Sequence, residues 1–428
     1  DVTLNLVSDD DPEITSIVVD NNSIAEDGQA VITATINNAS GKNVVVPITL
    51  SGTAKFDLDY TDDVATRIST VAGGNGQGNN NNQLNNPRGL FVDAAGTVFI
   101  ADEWGNRIQK WELGATEGTT IISNLNNPVE VALDASGNIY VVEESDHMVV
   151  KYAADGSNAE IVAGGNGNGS DLNQLSQPQG IFIDNDNNLY IADRENSRIV
   201  KWATDATEGE VVAGGNGEGD ALNQFYRPKS VYVDNQENIY VVDDWRSRIM
   251  KWAPGAIQGE IAVPDHQGSN FLDISVDASG AIYVLDGAKH SIKKFLPGAA
   301  SGSVVAGGTK GSNDNQLNQP QGLFVDSVGN MYVSDSNNKR VQKYDVTPQI
   351  VIAAGETSGA FTINATDDDI YEVQESIVIT PGSPSNATLS GASPINLELT
   401  DNDVLPEITF SFSDESISEN SSESVNLI

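Results

Sequence analysis

The sequence predicts an all-β protein in which a closed ring of repeated β-units interrupts a second β-domain. The first observation is a sequence motif, VFIADEWGNRIQKW at 98–111, that is repeated with variations at 139–152, 189–202, 239–252, 282–295 and 331–344. The second is its lead-in, a hydrophobic stretch that ends in Asp before a turn, as in GLFVDAAGT and GIFIDNDNN. Copies at roughly 40–50-residue spacing are typical of a radial repeat, not of one compact core.

Each repeat has the pattern of short strands separated by turns. Aromatic and β-branched residues form the apolar segments, and Asp, Asn and Gly separate them. A four-stranded unit cannot bury both faces alone, so neighbouring units must stack and the ring must close. We expect TRISTVAG at 66–73 to supply the missing outer strand of the sixth unit, which ends after QKYDV at 342–346.

The repeated motif, together with its P-x-G-hydrophobic-x-x-D lead-in, resembles the NHL repeat over about 66–346. This resemblance implies a six-bladed β-propeller. The recurring charged residues are predicted to be structural, with an acid and an Arg tying down the loop between strands. The acids are Asp102, Glu143, Asp193, Asp243, Asp286 and Asp335, and the arginines are Arg107, Arg198, Arg248 and Arg340.

Two further sets of repeated positions also favour structural roles. One set ends the first strand of each unit and begins a turn; it comprises Asp93, Asp134, Asp184, Asp234, Asp277 and Asp326. The other set closes the third strand and is predicted to pack between blades; it comprises Trp111, Tyr152, Trp202, Trp252, Phe295 and Tyr344.

The segments on either side of the repeats share a second pattern. AVITATIN and similar alternating stretches fit half-buried strands. Joined end to end, 12–61 and 349–403 resemble one Calx-β module, an immunoglobulin-like sandwich. The predicted fold is therefore a six-bladed β-propeller (62–348) inserted into a β-sandwich, with partial sandwich modules at both ends (1–11 and 404–428). DVTLNLVSDDDPEIT resembles NLELTDNDVLPEIT, so we expect a piece of a longer tandem array.

The Calx-β resemblance implies calcium at clustered acids at one end of the sandwich. Calcium takes six to eight hard oxygen ligands, and its charge can hold many carboxylates together. A solvated acidic turn is the alternative for DDD followed by spaced Glu. The matching positions are Glu26, Asp57, Asp59, Asp367, Asp368, Asp369, Glu372, Glu375, Asp401 and Asp403.

Ligand recognition is expected in the loops between strands two and three, which vary among the repeats. Exposed tryptophan beside charged groups can stack on a sugar ring or anchor a protein; the alternative is that each Trp covers its own loop. The candidate residues are Trp104, His147, Arg194, Glu195, Trp245 and Arg246. The GGNGxG loops lack a following helix, so they are predicted to be turns and not dinucleotide sites.

The composition of the chain argues against several classes of binding partner. Lys and Arg total 22 against 61 Asp and Glu, a net charge of −39, which argues against nucleic acid and anionic membranes. The chain has no cysteine, which excludes disulfides and thiolate chemistry. No apolar run is long enough to span a membrane.

Three functions remain open at this stage. The first is a calcium-binding segment of an extracellular adhesin at the bacterial cell surface, with Calx-β modules as a stiffened stalk, neighbouring modules as partners, and a propeller that recognises carbohydrate or protein. The second is a propeller enzyme of the lyase or lactonase type. The third is a structural spacer or docking domain. The chain has only three histidines and no G-x-S-x-G or H-E-x-x-H motif, so we expect no enzymatic activity.

Overall fold

The computed structural model describes residues 12–54, 60–62, 67–264, 268–299, 301–367, 373–389 and 393–403. The chain divides into two compact units, one spanning Thr66–Val346 and the other formed by the two flanks on either side of it. Within the described residues, no helix is both long and apolar enough to cross a membrane.

The N-terminal flank contributes five strands, two of which bury alternate side chains over most of their length. In QAVITATI, for example, every second side chain is buried, which is the period of a strand with one face on a core. These strands are β1 (Glu13–Val19), β2 (Ser23–Ala25), β3 (Gln29–Ile36), β4 (Val44–Gly52) and β5 (Tyr60–Asp62).

The central unit consists, in the described part of the chain, of six four-stranded antiparallel sheets. Their strands are β6 (Arg67–Gly73), β7 (Pro87–Val92), β8 (Val98–Asp102), β9 (Arg107–Trp111), β10 (Thr119–Ser123), β11 (Pro128–Leu133), β12 (Ile139–Glu143), β13 (Met148–Tyr152), β14 (Glu160–Gly164), β15 (Pro178–Ile183), β16 (Leu189–Asp193), β17 (Arg198–Trp202), β18 (Glu210–Gly214), β19 (Pro228–Val233), β20 (Ile239–Asp243), β21 (Arg248–Trp252), β22 (Glu260–Val263), β23 (Phe271–Val276), β24 (Ile282–Asp286), β25 (Ser291–Phe295), β26 (Ser303–Gly307), β27 (Gly322–Val325), β28 (Met331–Asp335) and β29 (Arg340–Asp345).

The first strands of the six sheets form a closed inner ring. Each of β7, β11, β15, β19 and β23 contacts the next, and β27 contacts β7. The sixth sheet has the order β27-β28-β29-β6, so its outer strand comes from the N-terminal side of the ring. Arg340 lies opposite Gly73 and Tyr344 opposite Ile68 in this pairing. The expected closure by 66–73 is confirmed, and the unit is a six-bladed β-propeller.

The C-terminal flank adds β30 (Gln349–Ile352), β31 (Ser358–Ala365), β32 (Glu375–Pro381), β33 (Thr388–Leu389) and β34 (Ile395–Thr400). Strands from both flanks interleave in two five-stranded sheets, β33-β1-β3-β31-β5 and β2-β34-β32-β4-β30. One hydrophobic cluster takes side chains from both sheets, including Ile32 and Ile363 from the first and Ile48 and Leu397 from the second. Neither flank can form this core without the other.

The third strands of the blades close on buried aromatic side chains, as the repeats predict. Trp252 and Tyr344 are each only 1% exposed, and Trp252 packs against Phe225 with ring centroids 4.7 Å apart. Tyr152 differs from the other aromatic residues of this set because its side chain is only half-buried. The clusters that contain these rings include residues from adjacent blades, so the aromatic side chains join one blade to the next.

A buried ion pair holds each of four loops between blades against the sheet. Arg198 Nε donates to Asp193 Oδ2 at 2.7 Å, and its other nitrogens donate to three backbone carbonyls of the preceding Gly-rich loop. Asp193 Oδ1 accepts from the backbone N–H of Ser176 at 2.7 Å. The same pair recurs at 102/107, 243/248 and 335/340. The predicted structural role of these residues is confirmed.

We expect Asp193→Asn to lower the free energy of unfolding of the propeller by about 3–5 kcal/mol, because it leaves the buried Arg198 guanidinium without a counter-charge. Glu143→Gln is the matched control: Glu143 has the same position in blade two, accepts from Asn126 N at 2.8 Å, and lies in register with Met148 in place of Arg. It should cost less than about 1 kcal/mol. Thermal and urea unfolding measure both; equal losses would contradict the role of the ion pair.

Candidate functional site

Short 3-10 turns join strands two and three in five of the blades and bring the predicted ligand-binding residues to one face of the ring. These turns cover Glu103–Gly105, Glu144–Asp146, Arg194–Asn196, Asp244–Arg246 and Ser336–Asn338. Each ends at a residue in the left-handed conformation, such as Asn106 and Ser247. We call the surface formed by these turns, together with the inner-strand residues beneath them, the mouth.

The two predicted tryptophans are exposed at the mouth. Trp104 is 56% and Trp245 67% exposed, while the tryptophans of the repeated core positions are buried. A cation covers part of each indole: Lys339 Nζ lies 5.1 Å from the ring centroid of Trp104, and the Arg227 guanidinium lies 5.2 Å from that of Trp245. Such contacts hold a ring in place and still leave apolar surface for a ligand.

The charged candidates in blades three and four form two sets of contacts, one of which reaches Trp245. Arg194 donates to Glu195 at 2.6 Å, and Glu195 pairs with Arg227 at 3.2 Å. Arg246 stacks 4.7 Å from the Tyr226 ring and donates to Asp220. The structure therefore brings Arg194, Glu195 and Trp245 together through Arg227.

His147 has a different environment from the other candidates. Its Nδ1 accepts the backbone N–H of Gln177, at the start of the next blade, at 3.1 Å. His290 makes the equivalent contact with Gln319 at 3.2 Å. Both histidines therefore connect neighbouring blades through the nitrogen that would otherwise be free to accept from a ligand.

Beneath the turns, within the mouth, the inner strands place charged side chains around the ring axis. They line a cavity of about 20 Å³, which has room for about one water molecule. The lining residues occupy the two positions after the proline of the lead-in, or the equivalent: Arg88, Gly89, Val129, Glu130, Gln179, Gly180, Lys229, Ser230, Leu272, Asp273 and Gln321. A side chain at Gly89 would collide with the Glu130 carboxylate, so glycine in one blade makes room for the acid of the next.

The carboxyl groups of Glu130 and Asp273 interact on this axis. Burial raises the pKa of Glu130 well above its ordinary value, and the charge of Asp273 raises it further. Burial also raises the pKa of Asp273, although Ser230 Oγ donates to it at 2.6 Å and Leu323 N at 2.7 Å. Because Asp273 accepts from more donors, the larger upward shift of the pKa falls on Glu130.

Basic groups approach the same axis from blades one and four. Arg88 donates to Glu103 and to Gln179, each at 3.1 Å, and Gln179 donates to Glu144 at 2.6 Å. Burial lowers the pKa of Lys229 to about 8, and the charge of Arg88 contributes to this shift. Burial also raises the pKa of Asp244, which lies near enough to Lys229 for their charges to interact.

Sequence reasoning missed these axial residues because it searched the inner strands for histidine. The usable signal was the residue after the lead-in proline, which is Arg88, Gln179, Lys229 and Gln321 in four of the blades. A strand that is buried on both sides is usually apolar throughout. Polar residues repeated at one position of the inner strands therefore indicate a site at the ring axis.

The flanking unit brings together three of the predicted calcium ligands. Carboxylate oxygens of Glu26, Asp401 and Asp403 lie within 4.8 Å of one another. The side chain of Asn402 donates to Asp367 at 3.0 Å, and Glu375 lies opposite Leu399 at the same end of β34. The other predicted ligands lie outside the described side chains: Asp57, Asp59, Asp368, Asp369 and Glu372.

The closed ring of four-stranded blades defines the class of the central unit, a β-propeller. The NHL repeat family matches residues 175–202 and 317–344, which cover the first three strands of blades three and six. Two of the six blades of this β-propeller are therefore similar to the NHL repeat. No curated protein matches this chain.

Solved structures share this fold at low identity. A protein of unknown function from Bacteroides thetaiotaomicron is 15% identical, with a TM-score of 0.56 over 79% of this chain and 98% of its own. A gluconolactonase from Xanthomonas campestris is 12% identical, with a TM-score of 0.52 over 70% and 98%. A putative gluconolactonase is also 12% identical, with a TM-score of 0.51 over 74% and 100%.

The prediction that this chain is not an enzyme is wrong. It rested on missing motifs and on the scarcity of histidine, yet a gluconolactonase is among the solved structures that share the fold. The axis also holds the titratable groups of Glu130 and Lys229, whose pKa values are shifted by burial. Neither the fold nor the composition excludes catalysis.

Glu130→Gln should raise the thermal midpoint of the propeller more at pH 8 than at pH 5. A carboxyl with a raised pKa favours the fold below its ordinary value of 4.5, and that contribution is lost as pH rises through the folded-state value. Glutamine has no such ionisation and retains an acceptor for Val131 N, now 3.0 Å from Glu130. Calorimetry at the two pH values measures the difference.

Glu160→Gln is the control for this measurement, because Glu160 is exposed on the outer strand β14. It should shift the thermal midpoint equally at both pH values. An equal shift for Glu130→Gln as well would show that its carboxyl carries no pH-dependent penalty.

Proposed function

We propose that this chain is a calcium-binding segment of an extracellular protein at the bacterial cell surface, in which the NHL propeller recognises a ligand at its mouth. The observation that carries the proposal is the pair of exposed tryptophans, Trp104 and Trp245, on a face whose loops are tied down by hydrogen bonds and buried ion pairs. Variable, exposed side chains on a rigid scaffold are typical of recognition loops. A carbohydrate or a protein surface fits this chemistry.

The flanks supply the supporting part of the proposal. Two sheets with a shared hydrophobic cluster are consistent with a β-sandwich of the Calx-β kind. The propeller would then be an insertion between β5 and β30. A closed ring has its two ends close together, so a host domain accepts it at a single loop. Modules of the same kind before and after it would form the stalk.

Calcium fits the acids of the flanking unit by donor type. Glu26, Asp401 and Asp403 offer only carboxylate oxygens, the hard ligands that calcium prefers. Asp367 and Glu375 lie at the same end, and the acids outside the described side chains would complete the ligand set. When bound, the ion would neutralise carboxylates that otherwise repel one another in a chain of net charge −39.

Calcium should raise the unfolding transition of the flanking unit, because an ion that binds only the folded state stabilises it. At a free concentration one hundred times the dissociation constant, the gain is about 2.7 kcal/mol. The double variant Glu26→Gln, Asp401→Asn should lose this gain. Calorimetry of the whole chain in calcium and in EDTA measures it.

Glu356→Gln is the control for the calcium experiment, since Glu356 is an exposed acid of the same unit. It should retain the full calcium response. A wild-type transition that is the same in calcium and in EDTA would refute the calcium part of the proposal.

Catalysis at the mouth is the second candidate function. The observation that favours it is Lys229, whose pKa of about 8 makes part of its population a neutral amine near physiological pH. The axial acid Glu130 could supply a proton from below. A lactone would be the substrate of the lactonase type, and a compound cleaved by elimination would be the substrate of the lyase type.

A glycan array in millimolar-range calcium distinguishes these functions. We expect specific binding that Trp104→Ala or Trp245→Ala weakens at least about tenfold, the usual effect of removing an aromatic anchor. Leu113→Ala, at an exposed apolar residue of blade one outside the mouth turns, is the control and should bind normally.

Mass spectrometry of the recovered glycans, with a panel of lactones incubated in parallel, tests the second candidate function. Cleaved products would establish catalysis, and unchanged compounds would refute it. Binding to no glycan would remove carbohydrate as the ligand class.

A further inference from the structure

Blades one and four, opposite each other in the ring, carry equivalent pairs of charged residues in different states. In blade one, Arg88 follows Pro87, Glu103 follows Asp102, and the two form an ion pair of 3.1 Å. In blade four, Lys229 and Asp244 occupy the same positions after the register pair Pro228 and Asp243. Among the described residues, neither the ammonium of Lys229 nor the carboxylate of Asp244 has a hydrogen bond or an ion pair. The pair is closed in blade one and open in blade four.

The environment of Lys229 and Asp244 makes their lack of hydrogen-bond partners unfavourable when no ligand is bound. Both side chains are half-buried, and burial shifts the pKa of Lys229 down and that of Asp244 up. Lys229 faces two other cations, Arg88 and Arg194, as well as the acids Asp244 and Asp273. Polar groups withdrawn from water without partners are unfavourable unless something else supplies the hydrogen bonds.

The surroundings of the Lys229–Asp244 pair indicate how large a ligand can be that forms hydrogen bonds with both residues. The axial cavity below this pair holds about 20 Å³, too little for anything larger than a water molecule. Trp245 directly follows Asp244 in the sequence and is 67% exposed, with Arg227 over one face of its ring. A ligand larger than water that reaches both charged groups therefore approaches them from the mouth, where Trp245 lies on the same turn as Asp244.

We infer that Lys229, Asp244 and Trp245 form a subsite for a neutral carbohydrate, whose neighbouring hydroxyl groups accept from the Lys229 ammonium and donate to the Asp244 carboxylate while the sugar ring packs on the Trp245 indole. This inference rests on the proposed recognition function and specifies its ligand class and its contacts.

The charges around Lys229 and Asp244 decide between ligand classes. A hydroxyl group donates and accepts at once, so two adjacent hydroxyls satisfy an ammonium and a carboxylate together. An anionic ligand could pair with Lys229, but it would be repelled by Asp244 and would leave the Asp244 carboxylate without a donor. A cationic ligand would be repelled by Lys229 and by Arg194 and Arg227, which both lie close enough to act on Asp244. A neutral polyhydroxylated ring avoids both penalties.

Isothermal titration of the whole chain tests this inference, with the methyl glycosides and disaccharides of glucose, galactose and mannose as probes and glucuronic acid as the anionic counterpart. Lys229→Met and Asp244→Asn should each weaken binding of the neutral sugars roughly 10- to 100-fold, the loss that follows removal of a hydrogen bond to a charged group. Lys251→Met and Glu260→Gln are the controls: they break an exposed pair of 3.8 Å on the outer strands of the same blade and should leave binding unchanged. Thermal unfolding of each variant shows that it is folded.

The outcomes separate this inference from the function on which it rests. If no probe binds the wild-type chain, both the carbohydrate-recognition function and this subsite are refuted. Binding that survives Lys229→Met and Asp244→Asn but is lost in Trp104→Ala or Glu103→Gln places recognition at blade one; the function then stands and the inference is overturned. Tighter binding of glucuronic acid than of the neutral sugars would overturn the ligand class.

Discussion

Closure of the ring by β6 is the constraint on which the rest of the propeller depends. A four-stranded blade has two apolar faces and must bury both, so each blade needs a neighbour on either side. The pairing of β6 with β29 gives the sixth blade its outer strand, and the contact of β27 with β7 joins that blade to the first. Closure also fixes the axis, because the six inner strands can then approach one another closely only where glycine or a small side chain allows it.

The distribution of charge follows from that geometry. The chain carries 61 acidic residues against 22 basic ones, yet four of its arginines lie buried against acids and hold the loops between blades. Further cations converge on the mouth and axis, at Arg88, Arg194 and Lys229. In a strongly acidic protein, this concentration produces a local environment unlike that of the remaining surface. Burial is the main cause of the shifted pKa values there, and charges that face one another across the narrow axis add to the shifts because solvent screens them poorly.

The two candidate sites depend on the fold in different ways. At the mouth, the buried ion pairs and the left-handed residues at the ends of the 3-10 turns hold the backbone rigid, so the variable side chains of those turns are presented at fixed positions. In the flanking unit, Glu26 follows β2 and Asp401 and Asp403 follow β34, and the parallel pairing of these two strands brings the acids together. A scaffold that supplies main-chain hydrogen bonds leaves its loop side chains available for ligands.

The sequence by itself determined the parts of this protein that depend on local pattern. The repeat register located the strands, the turn aspartates, the Asp–Arg pairs and the buried aromatics, and it separated Trp104 and Trp245 from the core positions. Each of these follows from residue type and spacing within one repeat, so six copies reinforce the same interpretation. The acids Glu26, Asp401 and Asp403 were likewise visible as matching motifs.

Only the tertiary structure decided what lies across the axis. Glu130 and Asp273 belong to repeats far apart in the sequence, and they interact because ring closure brings blades two and five to the same narrow cavity. Arg88 and Glu103 form an ion pair while their counterparts Lys229 and Asp244 remain open, although both pairs have the same place in the repeat. That difference depends on side-chain length and on the neighbours that adjacent blades supply, which no single repeat contains.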